Sequence, residues 1–383
     1  MTTLGSVLIR ALTDPRDFVS KIRCRTEIDY HLLMLKRRFF PEFPELVVVI
    51  PTYRCNLRCK MCFLFDEQGE SLVPTPLREE LPLSEWQKII EEISAFEPHI
   101  YLVGGEPLLY KDLLALINYI KAAGLRCGMT TNGITLAGVA EEIVQSGLDY
   151  LVVSIDGPEA IHNEIRRSSQ AFQRAMAGLI RINQAKARYK KSTPSLSVNC
   201  VISTFNYQHL TEVVMAVDDL GVPDLRFQHP MFTDRVVLRR HNDLFATLFQ
   251  SKSASSVGLD KGCTDNIEIE RLIQELAEVR RVRQRLAISF MPSLCNNDEI
   301  RGYYGDLSYK FRRGRCLAPW NEARILPNGD LSVCLGYPDY TVGNVSQEGF
   351  ATLWNNKRYR NFRQNLKKVQ LFPACYRCCR RQY

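Results

Sequence analysis

Three cysteines at positions 55, 59 and 62, spaced C-x3-C-x2-C, are the residues of this 383-residue chain best suited to chemistry. They place three thiols on one tight loop. Cysteine thiolates are the protein ligands of iron–sulfur clusters, and four of them saturate a [4Fe–4S] cube. Three leave one iron open to a ligand that is not protein. Zinc sites commonly take four ligands from two C-x2-C pairs, and a thioredoxin-like motif is C-x-x-C alone. Neither accounts for the three-plus-two spacing. A second set lies at the other end of the chain. Cys316, Gly329 and Cys334 form C-x12-G-x4-C, and Cys375, Cys378 and Cys379 follow. Their thiols suit a second cluster or a zinc ion.

These loops need a frame. The apolar run 46–50 reads as a buried strand leading straight into Cys55. From 45 to about 230, strand and helix patterns alternate, with strand candidates at 46–51, 99–103, 125–130, 149–154, 195–202 and 224–228. Ser84 with Gln87 reads as a capping box ahead of Ile89, Ile90 and Ile93. Gly124, Gly147 and Gly221 each follow a helical pattern, as C-terminal caps do. Six strand–helix units in series predict an α/β fold with a parallel sheet covered by helices. Polar motifs sit at the predicted strand ends. They are Gly104-Gly105-Glu106-Pro107, Thr130-Thr131-Asn132-Gly133 and Ser154-Ile155-Asp156-Gly157, with Arg166 beyond the last. Asn199, Asn206, Gln228 and His229 occupy similar places later in the chain, where they would face a ligand or cap a helix.

With these motifs the chain resembles the radical S-adenosylmethionine (SAM) enzymes. The resemblance implies a partial (β/α)6 TIM-type barrel with function at the C-terminal strand ends. It implies a [4Fe–4S] cluster on Cys55, Cys59 and Cys62, whose open iron takes the amino and carboxylate groups of SAM. One electron then cleaves SAM to methionine and a 5′-deoxyadenosyl radical, which removes a hydrogen atom from substrate. It further implies that Gly104, Gly105 and Glu106 meet the SAM amino group. Ser154 and Asp156 would lie near ribose and substrate, and Arg166 would pair with the SAM carboxylate. Met61 stands where the family often has an aromatic residue.

The C-terminal cysteines resemble the auxiliary-cluster domain called SPASM, in its shortened Twitch form. That implies a second [4Fe–4S] cluster on Cys316, Cys334, Cys375 and Cys378, with Cys379 as a substitute for Cys378. Leu335 follows Cys334 where some SPASM enzymes carry an aspartate base. A base would come from elsewhere, with Asp156 one candidate.

The expected divisions are an N-terminal helical extension (1–44), the core barrel (45–235), a helical linker or substrate region (236–309) and the auxiliary domain (310–383). Leu272, Leu276, Val279, Val282 and Leu286 mark a helix in the linker, and 251–262 reads as a loop. Pro327-Asn328-Gly329-Asp330 reads as a hairpin turn. The basic N-terminal segment suits a helix capping the barrel or a peripheral membrane contact. No apolar run reaches membrane-spanning length, and no secretory signal is evident, so a cytoplasmic protein is expected. Thirteen cysteines in a reducing compartment then point to metal or catalysis. Cys24, Cys127, Cys200, Cys263 and Cys295 lie outside these patterns and read as buried small hydrophobes. The net charge of +8 comes with no nucleic-acid-binding motif.

The resemblance fixes reaction class and leaves substrate open. Oxidation or other tailoring of a small molecule, supported by a flavodoxin- or ferredoxin-type electron donor, comes first. Modification of a peptide or protein, or a lipid-directed reaction, is the alternative. A non-catalytic metal-binding or electron-transfer protein is the alternative of another class.

Overall fold

β1 (Leu46–Val49) carries three consecutive valines, all buried. Parallel strands covered on both faces favour such unbroken β-branched runs. Next to β1 come β2 (His99–Leu102), β3 (Cys127–Thr131), β4 (Tyr150–Ser154), β5 (Ser195–Val201) and β6 (Asp224–Gln228). Each is parallel to its neighbour in chain order. The computed structural model describes residues 42–66, 68–251, 259, 262–282, 285–311 and 316–379.

The six expected strands are therefore present, and a seventh follows. β7 (Ala287–Met291) pairs parallel with β6 inside the stretch expected to be helical. Between strands run α1 (Leu83–Ser94), α2 (Leu113–Ala122), α3 (Ala140–Gln145), α4 (Glu159–Arg166), α5 (Ala171–Arg188) and α6 (Leu210–Asp218). α7 (Arg235–Phe249), α8 (Ile269–Arg281) and α9 (Asn297–Gly305) surround β7 in sequence. α8 buries Leu272, Leu276 and Val279, the stripe read from sequence.

The capping box at Ser84 does not form. α1 begins at Leu83 behind Pro82, whose carbonyl accepts the first helical N–H groups, so Ser84 already lies inside the first turn. Gly124, Gly147 and Gly221 do end helical segments, at φ +78°, +75° and +66°, where a side chain would be strained.

The C-terminal segment returns to the far edge of β1. β8 (Glu322–Ile325) pairs parallel with β1, placing Arg324 opposite Val48. The turn at Asn328 and Gly329 then reverses the chain into β9 (Asp330–Ser332), antiparallel to β8. β10 (Thr341–Asn344) closes the edge. One curved sheet of ten strands, in the order β10-β9-β8-β1-β2-β3-β4-β5-β6-β7, thus carries both cysteine sets. α10 (Lys357–Val369) packs behind its C-terminal part through Tyr359, Phe362 and Leu366. Among the described residues no helix is long and apolar enough to cross a membrane. Nearly all of the basic N-terminal segment, with Cys24, lies outside the described residues, as does most of the 251–262 loop.

Candidate functional site

The loop bearing Cys55, Cys59 and Cys62 is gripped from two sides. On one side Gly104 and Gly105 pass so close to it that a Cβ on either would lie 2.2 Å from the carbonyl oxygen of Thr52 or Arg54. Gly105 N–H donates to Thr52 O at 3.1 Å, and Glu106 N–H donates to Arg54 O at 2.8 Å. The two glycines therefore seat the loop's entry. On the other side Lys60 N–H donates to Ile165 O of α4 at 2.8 Å, and Lys60 Nζ pairs with Glu164 at 2.6 Å.

Two buried carboxylates organise the groups around the sulfurs. Glu106 accepts from Thr131 Oγ1 and the Asn132 N–H, each at 2.7 Å, and from the Leu108 N–H at 3.2 Å. Burial pushes its pKa up, against those three donors. Asn132, so fixed, points its amide at Asn56 Oδ1 (2.8 Å) and Cys55 Sγ (3.9 Å). Asp156, fully buried at the end of β4, accepts from Arg166 Nε at 2.7 Å and the Val201 N–H at 3.0 Å. Arg166 in turn donates to Cys59 Sγ at 3.7 Å. Sequence placed Arg166 near SAM; the structure adds its direct tie to a cysteine sulfur. The Asp156 N–H donates to His162 Nδ1 at 3.0 Å, and burial drops the His162 pKa to about 4.

This surrounding fits a thiolate-bound cluster. Burial pushes Cys55 up to about 11 and raises Cys59 as well. Such thiols ionise when a metal takes the proton's place, and hydrogen bonds to the sulfurs are a recognised control on cluster potential. The Leu57 N–H to Cys55 Sγ (3.5 Å), Asn132 and Arg166 supply those bonds.

At the other end Cys316, Cys334, Cys375 and Cys378 lie near enough that ionised neighbours raise the pKa of Cys316, on top of burial. Tyr337 Oη lies 2.6 Å from Cys375 Sγ, and the Gly336 N–H points at Cys334 Sγ at 3.3 Å. Gln228 Nε2 donates to the sulfur of Cys379 at 3.7 Å, and Cys379 is buried in the wall of a cavity. Among the described residues no three His, Cys, Asp or Glu side chains converge as single-ion ligands would.

Both cysteine sets contribute to the wall of one cavity of about 410 Å³. Cys55, Cys59 and Cys62 line it with Glu106, Ser154 and Arg166, and so do Cys334, Leu335 and Cys379. Of the later strand-end candidates Gln228 reaches this cavity, whereas Asn206 bonds the backbone of Asp156 and Val201, and Asn199 leans on Gln228 at 3.4 Å. His229 turns away to Tyr304 at 2.7 Å. Asp156 is likewise outside the lining, with both oxygens engaged. Cys127, Cys200 and Cys263 are buried as expected, although Cys263 also touches the cavity; Cys295, against expectation, is only half-buried and is disulfide-bonded. Sequence reasoning missed Arg324, a buried cation in the cavity wall; its one signal was a charge inside the apolar run Ala323 to Leu326.

Comparison with known proteins agrees with this geometry. Residues 49–215 match the radical SAM superfamily, and residues 316–379 match SPASM, an iron–sulfur cluster-binding domain. A pre-heme d1 synthase of Dinoroseobacter shibae is 31% identical over 305 residues, covering 79% of this chain and 71% of the relative. An AdoMet-dependent heme synthase of Oleidesulfovibrio alaskensis is 25% identical, covering 85% and 78%. Among solved structures, Streptococcus suis SuiB bound to precursor peptide SuiA superposes with a TM-score of 0.61 at 17% identity, over 91% of this chain and 74% of SuiB. The chain therefore belongs to the radical SAM superfamily, with a [4Fe–4S] cluster and SAM as cofactors and auxiliary iron–sulfur in its SPASM domain.

Proposed function

We propose that this enzyme oxidises or otherwise tailors a small organic molecule held in the cavity that both its cysteine sets line. The observation that carries the proposal is the cavity itself, whose wall holds Cys55, Cys59 and Cys62 together with Cys334. When bound, the cluster and SAM supply a carbon-centred radical that takes a hydrogen atom from an unactivated C–H bond. The protein's part is to hold, orient and exclude. Cys55, Cys59 and Cys62 bind the SAM-cleaving cluster. Gly104 and Gly105 seat their loop. Glu106 keeps lone pairs beyond its three protein donors and accepts from the SAM amino group. Ser154 faces SAM from the end of β4. Asp156 holds Arg166 against Cys59 and acts as a positioning residue. Cys316, Cys334, Cys375 and Cys378 would hold the auxiliary cluster, which would supply an electron acceptor beside the cavity that Cys334 lines.

The apolar lining (Val48, Ile50, Leu326, Leu335, Met231 and Met291) excludes water from the cavity. A tetrapyrrole is a second reading, favoured by the heme-forming relatives. The test is 5′-deoxyadenosine formation by anaerobically reconstituted enzyme given host-cell extract split by size, with an iron tetrapyrrole as a separate arm. Stimulation by the small-molecule fraction is expected. Stimulation by the peptide and protein fraction alone would overturn the proposal.

A further inference from the structure

Arg324 is an ion in an apolar wall. It sits on β8, and alternation along that strand sends Ala323 and Ile325 to one core and Arg324 and Leu326 to the barrel lumen. Its lumen neighbours are Val48, across the β1–β8 register, and Ile50 and Tyr53. Arg324 is 7% exposed and lines the cavity. Among the described residues its hydrogen-bond partner is Glu322, two residues back on the same face. A guanidinium carries five donors in a planar fork, so one carboxylate does not exhaust it.

Three charged residues line the cavity: Glu106, Arg166 and Arg324. The first two are engaged by protein partners beside the cysteine loop. Arg324 stands apart from them on β8. Burying a charge is costly unless it is paired and hydrogen-bonded; Glu322 pairs with Arg324 and Cys334 lies in its field, and the cavity that Arg324 lines is open to the rest of its donors.

We propose that Arg324 anchors a carboxylate of the substrate, which is therefore an acid with a largely apolar body. This rests on the small-molecule reading above and narrows it. Arginine meets a carboxylate through two parallel hydrogen bonds. A phosphate dianion would call for more positive charge than this one cation, already shared with Glu322, provides. Held there, the substrate's acid group lies on the β8 side of the lumen and its apolar body extends toward Cys55, Cys59 and Cys62.

The experiment uses reconstituted holoenzyme and the stimulating small-molecule fraction. That fraction is passed over an anion exchanger, then treated either with acidic methanol, which esterifies carboxylates, or with phosphatase. The retained material should stimulate 5′-deoxyadenosine formation, esterification should abolish the effect, and phosphatase should leave it. Arg324→Met should raise the half-saturating amount on the order of tenfold to a hundredfold, as loss of a charged hydrogen bond does. Arg324→Lys should fall between, and it serves alone if Arg324→Met loads less iron. Activity in the unretained fraction, or loss with phosphatase, overturns the carboxylate while leaving the small-molecule reading intact. A shift in auxiliary-cluster potential with unchanged half-saturation would make Arg324 a counter-charge to Cys334 and also overturn the proposal. Activity confined to the peptide and protein fraction would fell the underlying reading first.

Discussion

Cys55, Cys59 and Cys62 share a single loop, whereas Cys316, Cys334, Cys375 and Cys378 are gathered from separate turns of the C-terminal region. Polar side chains reach two sulfurs of the first set, while Cys55 and Cys62 also pack against an apolar cluster that includes Ile50 and Phe65. Asn132 and Arg166 point at those two sulfurs, and the carboxylates behind them are themselves fixed by hydrogen bonds. The second set is walled by aromatic rings. Tyr337 lies against Cys375 and packs among His241, Phe245 and Phe372 at ring separations of 5.1, 5.3 and 6.1 Å. The difference teaches what each site needs. A loop that is to meet a polar ligand needs donors and acceptors already in place, whereas a set that touches the cavity only through Cys334 can rely more on packing.

The comparison breaks most directly if the three-thiol loop is emptied. Replacing Cys55, Cys59 and Cys62 with Ala should abolish 5′-deoxyadenosine formation and lower iron from about 8 to about 4 per chain. A fall from about 4 to none would mean that the C-terminal thiols bind no cluster. The next largest effect separates neighbouring cysteines. Cys378→Ala should cost the auxiliary cluster, about 4 irons, while Cys379→Ala should retain it, because Cys379 faces Gln228 and the cavity. Iron loss from Cys379→Ala in place of Cys378→Ala would reverse the assignment.

Glu106→Gln probes the polar surround. The new amide must place its NH2 group toward donors now satisfied by the carboxylate. A loss of about 1–3 kcal/mol in urea unfolding is expected, together with weaker SAM binding by calorimetry. Unchanged values on both counts would show that the Asn132 brace is dispensable.

The smallest effect concerns acid. His162, His229 and His241 are buried and held to about 4, 3 and 4. Between pH 6.5, where a free histidine titrates, and about 4, the unfolded chain binds more protons than the folded one. Their contribution is therefore full above pH 6.5 and is lost as pH falls. Glu106, pushed upward by burial, acts in the opposite sense. The urea midpoint should be lower at pH 5 than at pH 7.5, and His241→Phe should lessen the drop. That variant also removes two buried ring nitrogens that make no hydrogen bond among the described residues. An equally steep drop in His241→Phe would assign the acid response to the other two histidines.

Much of this was legible in the sequence because local rules acted alone. Valine runs marked the parallel strands, glycines marked helix ends, and Asn-Gly marked the β8–β9 turn. Other features depended on partners distant in the chain. β7 is five residues long and follows an arginine-rich stretch, so its pairing with β6 outweighed a weak local pattern. Gly104 and Gly105 were expected beside SAM and do line the cavity, but the backbone of Thr52, Tyr53 and Arg54 that crowds them is a second reason for glycine that only the fold reveals. Arg324 went unread because little local marks it; its place in the cavity wall follows from the pairing of β8 with β1.

The pairing of β1 with β8 also bears on how the chain must be made. Val47 and Val49 lie between two strands, β2 early in the chain and β8 near its end. Until Glu322 to Ile325 have been synthesised, the strand that leads into Cys55 has a bare, valine-rich edge. Such an edge invites pairing with other chains. A shortened chain carrying the barrel without β8 should therefore aggregate rather than load iron, and in the growing polypeptide the first cysteine loop waits on the last part of the sheet.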